Sequence, residues 1–143
     1  MSKMIILVGL PGSGKSTIAE THFKQDYYYI NQDKMGNREA CISAVKKVLE
    51  SGGNVIIDRV NSTRKQRAYW IELGIGYNCS SITCIVLDVD PEICVGRIVD
   101  RKGHETITEE MNIEKKRQIV HQFAKTFESP VLEGGFNSII ITR

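Results

Sequence analysis

The sequence has no apolar stretch approaching the ~20 residues that a membrane-spanning helix requires. Its longest apolar runs, such as residues 4–8 and 139–141, are much shorter. The N-terminus also lacks the apolar core and the small-residue cleavage site of a signal peptide. We therefore expect no contact with a membrane and no export, and we expect an intracellular protein of the cytoplasm or the nucleus.

Cysteine patterns typical of metal or redox sites are missing as well. Cys41, Cys79, Cys84 and Cys94 form no Cys-x-x-Cys pair, and no histidine lies at zinc-ligand spacing from them. Their neighbours are apolar, which indicates reduced thiols in a core. The formal net charge is only +2, so an argument for a polyanionic partner depends on local clusters of charge.

Short apolar runs alternate with segments of helical periodicity along the 143 residues, which is the length of one typical domain. We expect residues 1–143 to form a single domain, because no linker rich in proline or glycine interrupts them. The predicted elements are strands over residues 4–8, 27–30, 55–58, 82–87 and 139–141, and helices over residues 16–23, 41–48, 63–73, 91–100 and 108–127. This alternation predicts an α/β fold, a parallel five-stranded sheet with helices on both faces.

Residues 9–17, Gly-Leu-Pro-Gly-Ser-Gly-Lys-Ser-Thr, match the Walker A pattern of phosphate-binding loops. The match lies where the first predicted strand must meet a helix. Backbone N–H groups of such a loop surround the phosphates of a nucleotide, while the lysine adds positive charge and the serine hydroxyl can ligate magnesium. We predict that the ATP phosphates bind Gly12, Ser13, Gly14, Lys15, Ser16 and Thr17.

Two aspartates follow predicted strands and bear on the class of phosphoryl transfer. Asp58 ends the third strand, where a carboxylate can hold magnesium, so Ser16 and Asp58 are the candidate metal ligands. Arg59 follows where motor ATPases usually carry a water-activating glutamate, and no guanine-reading Asn-Lys-x-Asp motif is present, which weakens the ATPase and GTPase alternatives. Asp33 follows the second strand and is a candidate base for an attacking hydroxyl; helix capping or turn chemistry is its alternative role.

A short polar segment, residues 101–106, joins two predicted helices and carries basic side chains. Arg101 begins it, and Arg97 lies one turn earlier. Arginines on a closing lid offset the charge that spreads over a transferring phosphoryl group, and closure excludes water. We therefore predict a small lid in which Arg97 and Arg101 assist catalysis with Lys15, the alternative being a solvated helix end.

Four segments carry a resemblance to one family. Besides residues 9–17, residues 31–36 read Asn-Gln-Asp-Lys-Met-Gly, residues 57–61 read Ile-Asp-Arg-Val-Asn, and residues 127–136 read Phe-Glu-Ser-Pro-Val-Leu-Glu-Gly-Gly-Phe. Together they resemble the kinase domain of the polynucleotide 5'-hydroxyl kinases, as in the polynucleotide kinase 3'-phosphatases and phage polynucleotide kinase. The glutamine in the second segment and the arginine in the third are more similar still to the kinase-like domain of plant aprataxin-like proteins.

This resemblance implies a P-loop kinase that uses ATP with Mg²⁺ and transfers the γ-phosphate to a 5'-hydroxyl end of RNA or DNA. It implies that Asp33 is the general base and that Asp58 lies near magnesium and the acceptor, with Arg59 and Asn61 as further acceptor-binding residues. Gln32 departs from the arginine usual in the family, and Arg59 departs from the asparagine of mammalian-type enzymes. The aspartate-rich motif of the phosphatase is absent, so no 3'-phosphatase activity is expected of this chain.

Two other functions stay open at the level of sequence: a small-molecule kinase of the same fold, acting on a sugar, nucleoside or antibiotic hydroxyl, and a nucleotide-binding module without catalysis. A nucleic-acid end needs cations for its flanking phosphates. Arg59, Arg64, Lys65 and Arg67 offer four within nine residues. A solvated helix face is the alternative interpretation of the last three.

Overall fold

A computed structural model of the chain describes residues 2–31, 35–100, 112–132 and 135–142. Its strands are β1 (Lys3–Val8), β2 (Tyr28–Asn31), β3 (Val55–Asp58), β4 (Ser81–Leu87) and β5 (Ser138–Thr142). They form one five-stranded sheet in the order β2-β3-β1-β4-β5, and every neighbouring pair is parallel. The predicted parallel α/β sheet is therefore confirmed.

Helices connect the strands as the alternation predicts. They are α1 (Lys15–Ile18), which continues into a π-helical segment (Ala19–Phe23), then α2 (Arg38–Glu50), α3 (Arg64–Gly76), α4 (Pro91–Asp100) and α5 (Ile113–Thr126). No helix in the described part of the chain is long and apolar enough to cross a membrane.

The start of α5 differs from the prediction of a helix from about residue 108. Asn112 has an extended backbone, with ψ of 164°, and its side chain accepts a hydrogen bond from the backbone N of Lys115 at 2.7 Å. An asparagine in this arrangement caps a helix N-terminus, so α5 begins at Ile113. Residues 101–111, which include the predicted lid, lie outside the described residues.

The core lies on both faces of the sheet, and β1 is its middle strand. Met4, Ile6 and Val8 pack on one face with apolar residues of α2 and α3. Ile5 and Leu7 pack on the opposite face with α1 and the segment that follows it. Alternate burial on two faces explains why this strand is a continuous apolar run, and helices on both faces are confirmed.

The strand register brings three chain segments together at the carboxyl edge of the sheet. Asp58 at the end of β3 pairs with Leu7 of β1 on one side and with Asn31 of β2 on the other. The glycine-rich loop follows β1 directly. Ligands of open parallel sheets bind at this edge, outside the carboxyl ends of the strands.

Candidate active site

The glycine-rich loop after β1 takes the conformation that its sequence requires. Gly12 and Gly14 have φ angles of 83° and 101°, in the left-handed region that favours glycine. A Cβ atom on Gly12 would lie 2.6 Å from the backbone oxygen of Cys94, so a side chain there would also collide with α4. The Oγ of Ser13 is buried and has no hydrogen-bond partner among the described residues. A phosphate oxygen would satisfy that orphaned donor.

The ammonium group of Lys15 lies against the first two residues of this loop. Its Nζ donates hydrogen bonds to the backbone oxygens of Gly9 at 2.8 Å and Leu10 at 2.9 Å, and the side chain is buried. The charge of Lys15 is thus held against the loop, where a point charge can attract phosphate oxygens.

Arg97 of α4 donates hydrogen bonds to the backbone of the same loop. Its Nη1 donates to the backbone oxygens of Gly12 at 3.3 Å and Ser13 at 3.2 Å. A guanidinium group has five N–H donors, so others stay available to a phosphate. The structure therefore brings Arg97 to the phosphate-binding loop, whereas Arg101 lies outside the described residues.

A cluster of hydrogen bonds surrounds the Asp58 carboxylate, which is only 5% exposed. Its Oδ2 atom accepts from the Ser16 hydroxyl at 2.8 Å and from the Tyr29 hydroxyl. The Nδ2 atom of Asn31 donates to the Tyr29 hydroxyl at 2.7 Å and lies 3.4 Å from Asp58 Oδ2. These bonds compensate the burial of a charged group, which would otherwise be costly. We call these four residues the Asp58 cluster.

The Asp58 cluster fits a magnesium ion that accompanies ATP. The hydroxyl of Ser16 and the carboxylate of Asp58, the two predicted ligands, lie within hydrogen-bond distance of each other. Both offer oxygen, the donor atom that Mg²⁺ prefers. Burial, and then the negative charge of Asp58, raise the pKa of the Tyr29 phenol well above its ordinary value. Tyr29 is therefore neutral and serves Asp58 as a hydrogen-bond donor.

Asp33 comes two residues after Asn31 of this cluster and lies outside the described residues, as do Gln32 and Lys34. The structure shows where the preceding strand ends. Asn31, the last residue of β2, is paired with Asp58. The role of Asp33 as a base stays a prediction.

Comparison with known proteins shows the family. The sequence profile of a family described as AAA domain matches residues 4–40 and 37–130. The chain belongs to this family. The chain is 32% identical, over 96% of its length, to the bifunctional polynucleotide phosphatase/kinase of Schizosaccharomyces pombe, and 31% identical over 96% to transcription factor bHLH140 of Arabidopsis thaliana. It spans only 32% and 15% of those two proteins. The resemblance to polynucleotide kinases is confirmed.

Two solved structures share the fold of this chain. Kti12 of Chaetomium thermophilum, in complex with ADP-AlF3, aligns with a TM-score of 0.68 at 20% identity, covering 97% of this chain and 88% of Kti12. A fungal RNA kinase aligns with a TM-score of 0.71 at 15% identity, covering 100% of this chain and 75% of that chain. These identities are low, so the likeness shows the fold alone, and the predicted P-loop kinase fold is confirmed.

Asn61, predicted to bind the acceptor, is buried. It is 2% exposed, and its Nδ2 donates to the backbone oxygen of Leu7 at 2.8 Å. Its φ of 49° lies in the left-handed region, which asparagine tolerates better than most residues. Asn61 thus ties the loop after β3 to β1. Arg59, two residues earlier, is partly exposed.

Arg67 does not join the predicted group of acceptor cations. Its side chain is 1% exposed, and it donates to the backbone oxygens of Asn61 at 2.8 Å and Glu128 at 2.5 Å. Burial lowers the pKa of its guanidinium below the usual range. The prediction for Arg67 is wrong because the helix turns this position into the protein. Arg64 and Lys65, the two other cations of α3 in that group, are exposed.

The buried bonds of Arg67 predict a large effect on stability. Replacing Arg67 with Met should lower the free energy of unfolding by about 2–4 kcal/mol, because two carbonyl groups lose their donor. Urea unfolding followed by tryptophan fluorescence measures this. Arg64→Met, at an exposed position of the same helix, should change stability by less than about 0.5 kcal/mol. Equal stability of the two variants would contradict a structural role for Arg67.

Proposed function

We propose that the chain is an ATP-dependent kinase that phosphorylates the 5'-hydroxyl end of RNA or DNA. The observation that carries the proposal is the hydrogen bond between Ser16, in the phosphate-binding loop, and Asp58, at the end of the neighbouring strand. It joins a candidate triphosphate site to a carboxylate at the carboxyl edge of the sheet. Asp33 follows β2, the strand that pairs with β3 at that edge. The similarity to the phosphatase/kinase of S. pombe supports a nucleic-acid acceptor.

The chemistry assigns a role to each residue. Asp33 takes the proton of the 5'-hydroxyl, whose oxygen forms a bond to the γ-phosphorus as the bond to the β-phosphate oxygen breaks and ADP leaves. Lys15 and the loop amides stabilise the charge on the phosphate oxygens, and Arg97 and Arg101 assist as the phosphoryl group moves. Magnesium, held by Ser16 and Asp58, would supply further charge neutralisation.

The acceptor site is proposed to begin at Asp58 and Arg59. Arg59 is partly exposed and follows Asp58 directly, which suits a contact with a phosphate downstream of the reacting hydroxyl. Arg64 and Lys65 are exposed at the start of α3 and extend the positive surface. Asn61 lies in the loop between Arg59 and Arg64. Its hydrogen bond to the backbone oxygen of Leu7 in β1 fixes the position of that loop.

The test is transfer of labelled γ-phosphate to oligonucleotides, nucleoside 3'-monophosphates, nucleosides and sugars. A short oligonucleotide with a 5'-hydroxyl should be phosphorylated far better than a nucleoside and somewhat better than a nucleoside 3'-monophosphate. Salt should weaken acceptor binding, with a slope of about 0.7 in log K for each phosphate neutralised on a single strand. Arg59→Ala should raise the KM of the acceptor and leave the KM of ATP unchanged.

Lys3→Ala is the matched control, since Lys3 is an exposed cation at the start of β1, at the opposite edge of the sheet. It should leave both KM values unchanged. A nucleoside or sugar that performs as well as the oligonucleotide, without a salt slope, would favour the small-molecule kinase. Nucleotide binding without transfer to any acceptor would favour a binding module.

A further inference from the structure

The Tyr29 hydroxyl contacts every other member of the Asp58 cluster. It donates to Asp58 Oδ2, lies 3.2 Å from the Ser16 hydroxyl, and accepts from Asn31 Nδ2 at 2.7 Å. The ring of Tyr29 packs against the apolar core on the α1 face of the sheet. Packing of the ring in the core therefore fixes the position of the hydroxyl among the polar groups.

Ser16 and Asp58 need such a connection because they come from different elements. Ser16 lies in the first turn of α1, and Asp58 is 42 residues later at the end of β3. A carboxylate that is free to rotate must lose that freedom when it binds a ligand, and fixing it beforehand removes this cost. Tyr29 is suited to fix it, because a hydrogen bond to a charged acceptor is strong and directional.

The pattern of bonds leaves half of the carboxylate available. Within the described residues, the hydrogen bonds that Asp58 accepts from Ser16, Tyr29 and Asn31 all reach Oδ2. The second oxygen, Oδ1, is therefore the one left for a ligand. The phenol can keep its bond to Oδ2 while Oδ1 is used, so Tyr29 orients the carboxylate without competing for it.

We propose that Tyr29 is a positioning residue whose hydroxyl orients the Asp58 carboxylate beside Ser16, so that both oxygen donors are preorganised for the Mg²⁺ that accompanies ATP. This inference rests on the proposed function, because it takes Ser16 and Asp58 as the metal ligands. It assigns no chemical step to Tyr29. The consequence is that the Tyr29 hydroxyl should matter for nucleotide binding only when the metal is present.

The experiment is calorimetric titration with a non-hydrolysable ATP analogue, once in MgCl2 and once in EDTA, for wild type and Tyr29→Phe. The ring is retained in Tyr29→Phe, so the packing on the α1 face is preserved. The variant should bind the analogue about tenfold more weakly in MgCl2, as expected for the loss of one charge-assisted hydrogen bond. In EDTA its affinity should equal that of wild type, which also shows that the loop is folded.

Tyr28→Phe is the matched control. Tyr28 is adjacent in the same strand and 62% exposed, so its variant should match wild type in both buffers. An equal loss for Tyr29→Phe in MgCl2 and in EDTA would show a general structural role and overturn the inference. Unchanged or tighter binding in MgCl2 would overturn it as well. Absence of analogue binding by the wild type would instead overturn the proposed function, and the inference with it.

Discussion

Asp33→Asn is expected to lower the rate of phosphoryl transfer by about 10²–10⁴ at saturating acceptor, because it removes the general base. The amide keeps the size of the carboxylate but cannot accept the proton of the 5'-hydroxyl. ATP affinity should stay nearly unchanged, since the triphosphate contacts are assigned to the loop after β1. The measurement combines single-turnover transfer to a 5'-hydroxyl oligonucleotide with titration of ATP binding.

Asp26→Asn is the matched control for this variant. Asp26 is an exposed aspartate shortly before β2, and its change should leave both rate and affinity at the wild-type level. If Asp33→Asn kept more than about a third of wild-type turnover, Asp33 would not be the general base, because loss of a base costs at least about a hundredfold. Helix capping or turn chemistry would then be the role of Asp33.

The fold was predictable because buried strands can be identified directly in the sequence. Residues buried on both faces of a parallel sheet form continuous apolar runs, and β1, β3 and β4 were predictable for that reason. The meeting of Ser16 with Asp58 was predictable too, because the carboxyl ends of parallel strands share one edge. The start of α5 was not predictable in the same way. The cap at Asn112 gives the start of α5, and asparagine is one of several polar residue types that occupy such a position.

Arg67 and Tyr29 show what the sequence did not reveal. The partners of Arg67 are backbone oxygens, one of them 61 residues away at Glu128, and any residue type carries such an oxygen. The buried positions of α3, residues 67, 70, 71 and 74, follow the i, i+3, i+4, i+7 spacing of a core-facing stripe. Periodicity therefore indicated an inward position, but nothing in the sequence indicated the acceptors that a buried cation needs. Tyr29 left a usable signal, since it alternates with Asn31 along β2 and both face α1 with Asp58. Polar groups at the carboxyl end of a strand indicate side chains that lie near the ligand-binding edge of the sheet.

Lys15→Ala is the second variant with a large expected effect, and it should impair binding and catalysis together. The Lys15 ammonium lies against the phosphate-binding loop, at 2.8 Å from the backbone oxygen of Gly9. Its charge is near the phosphates both before and during transfer. We expect ATP affinity to fall about tenfold and turnover to fall by about 10²–10³, because a preorganised donor counts most where charge develops.

Arg101→Ala provides the contrast that makes this prediction informative. An arginine of a lid acts mainly while the phosphoryl group is in transfer, so its loss should lower turnover and change ATP affinity little. Lys24→Ala, at an exposed lysine after the α1 segment, is the control and should match wild type in both. Titration of ATP binding and measurement of kcat for the three variants separate the roles. Equal losses of ATP affinity in Lys15→Ala and Arg101→Ala would contradict the lid assignment, because both side chains would then bind the ground-state nucleotide.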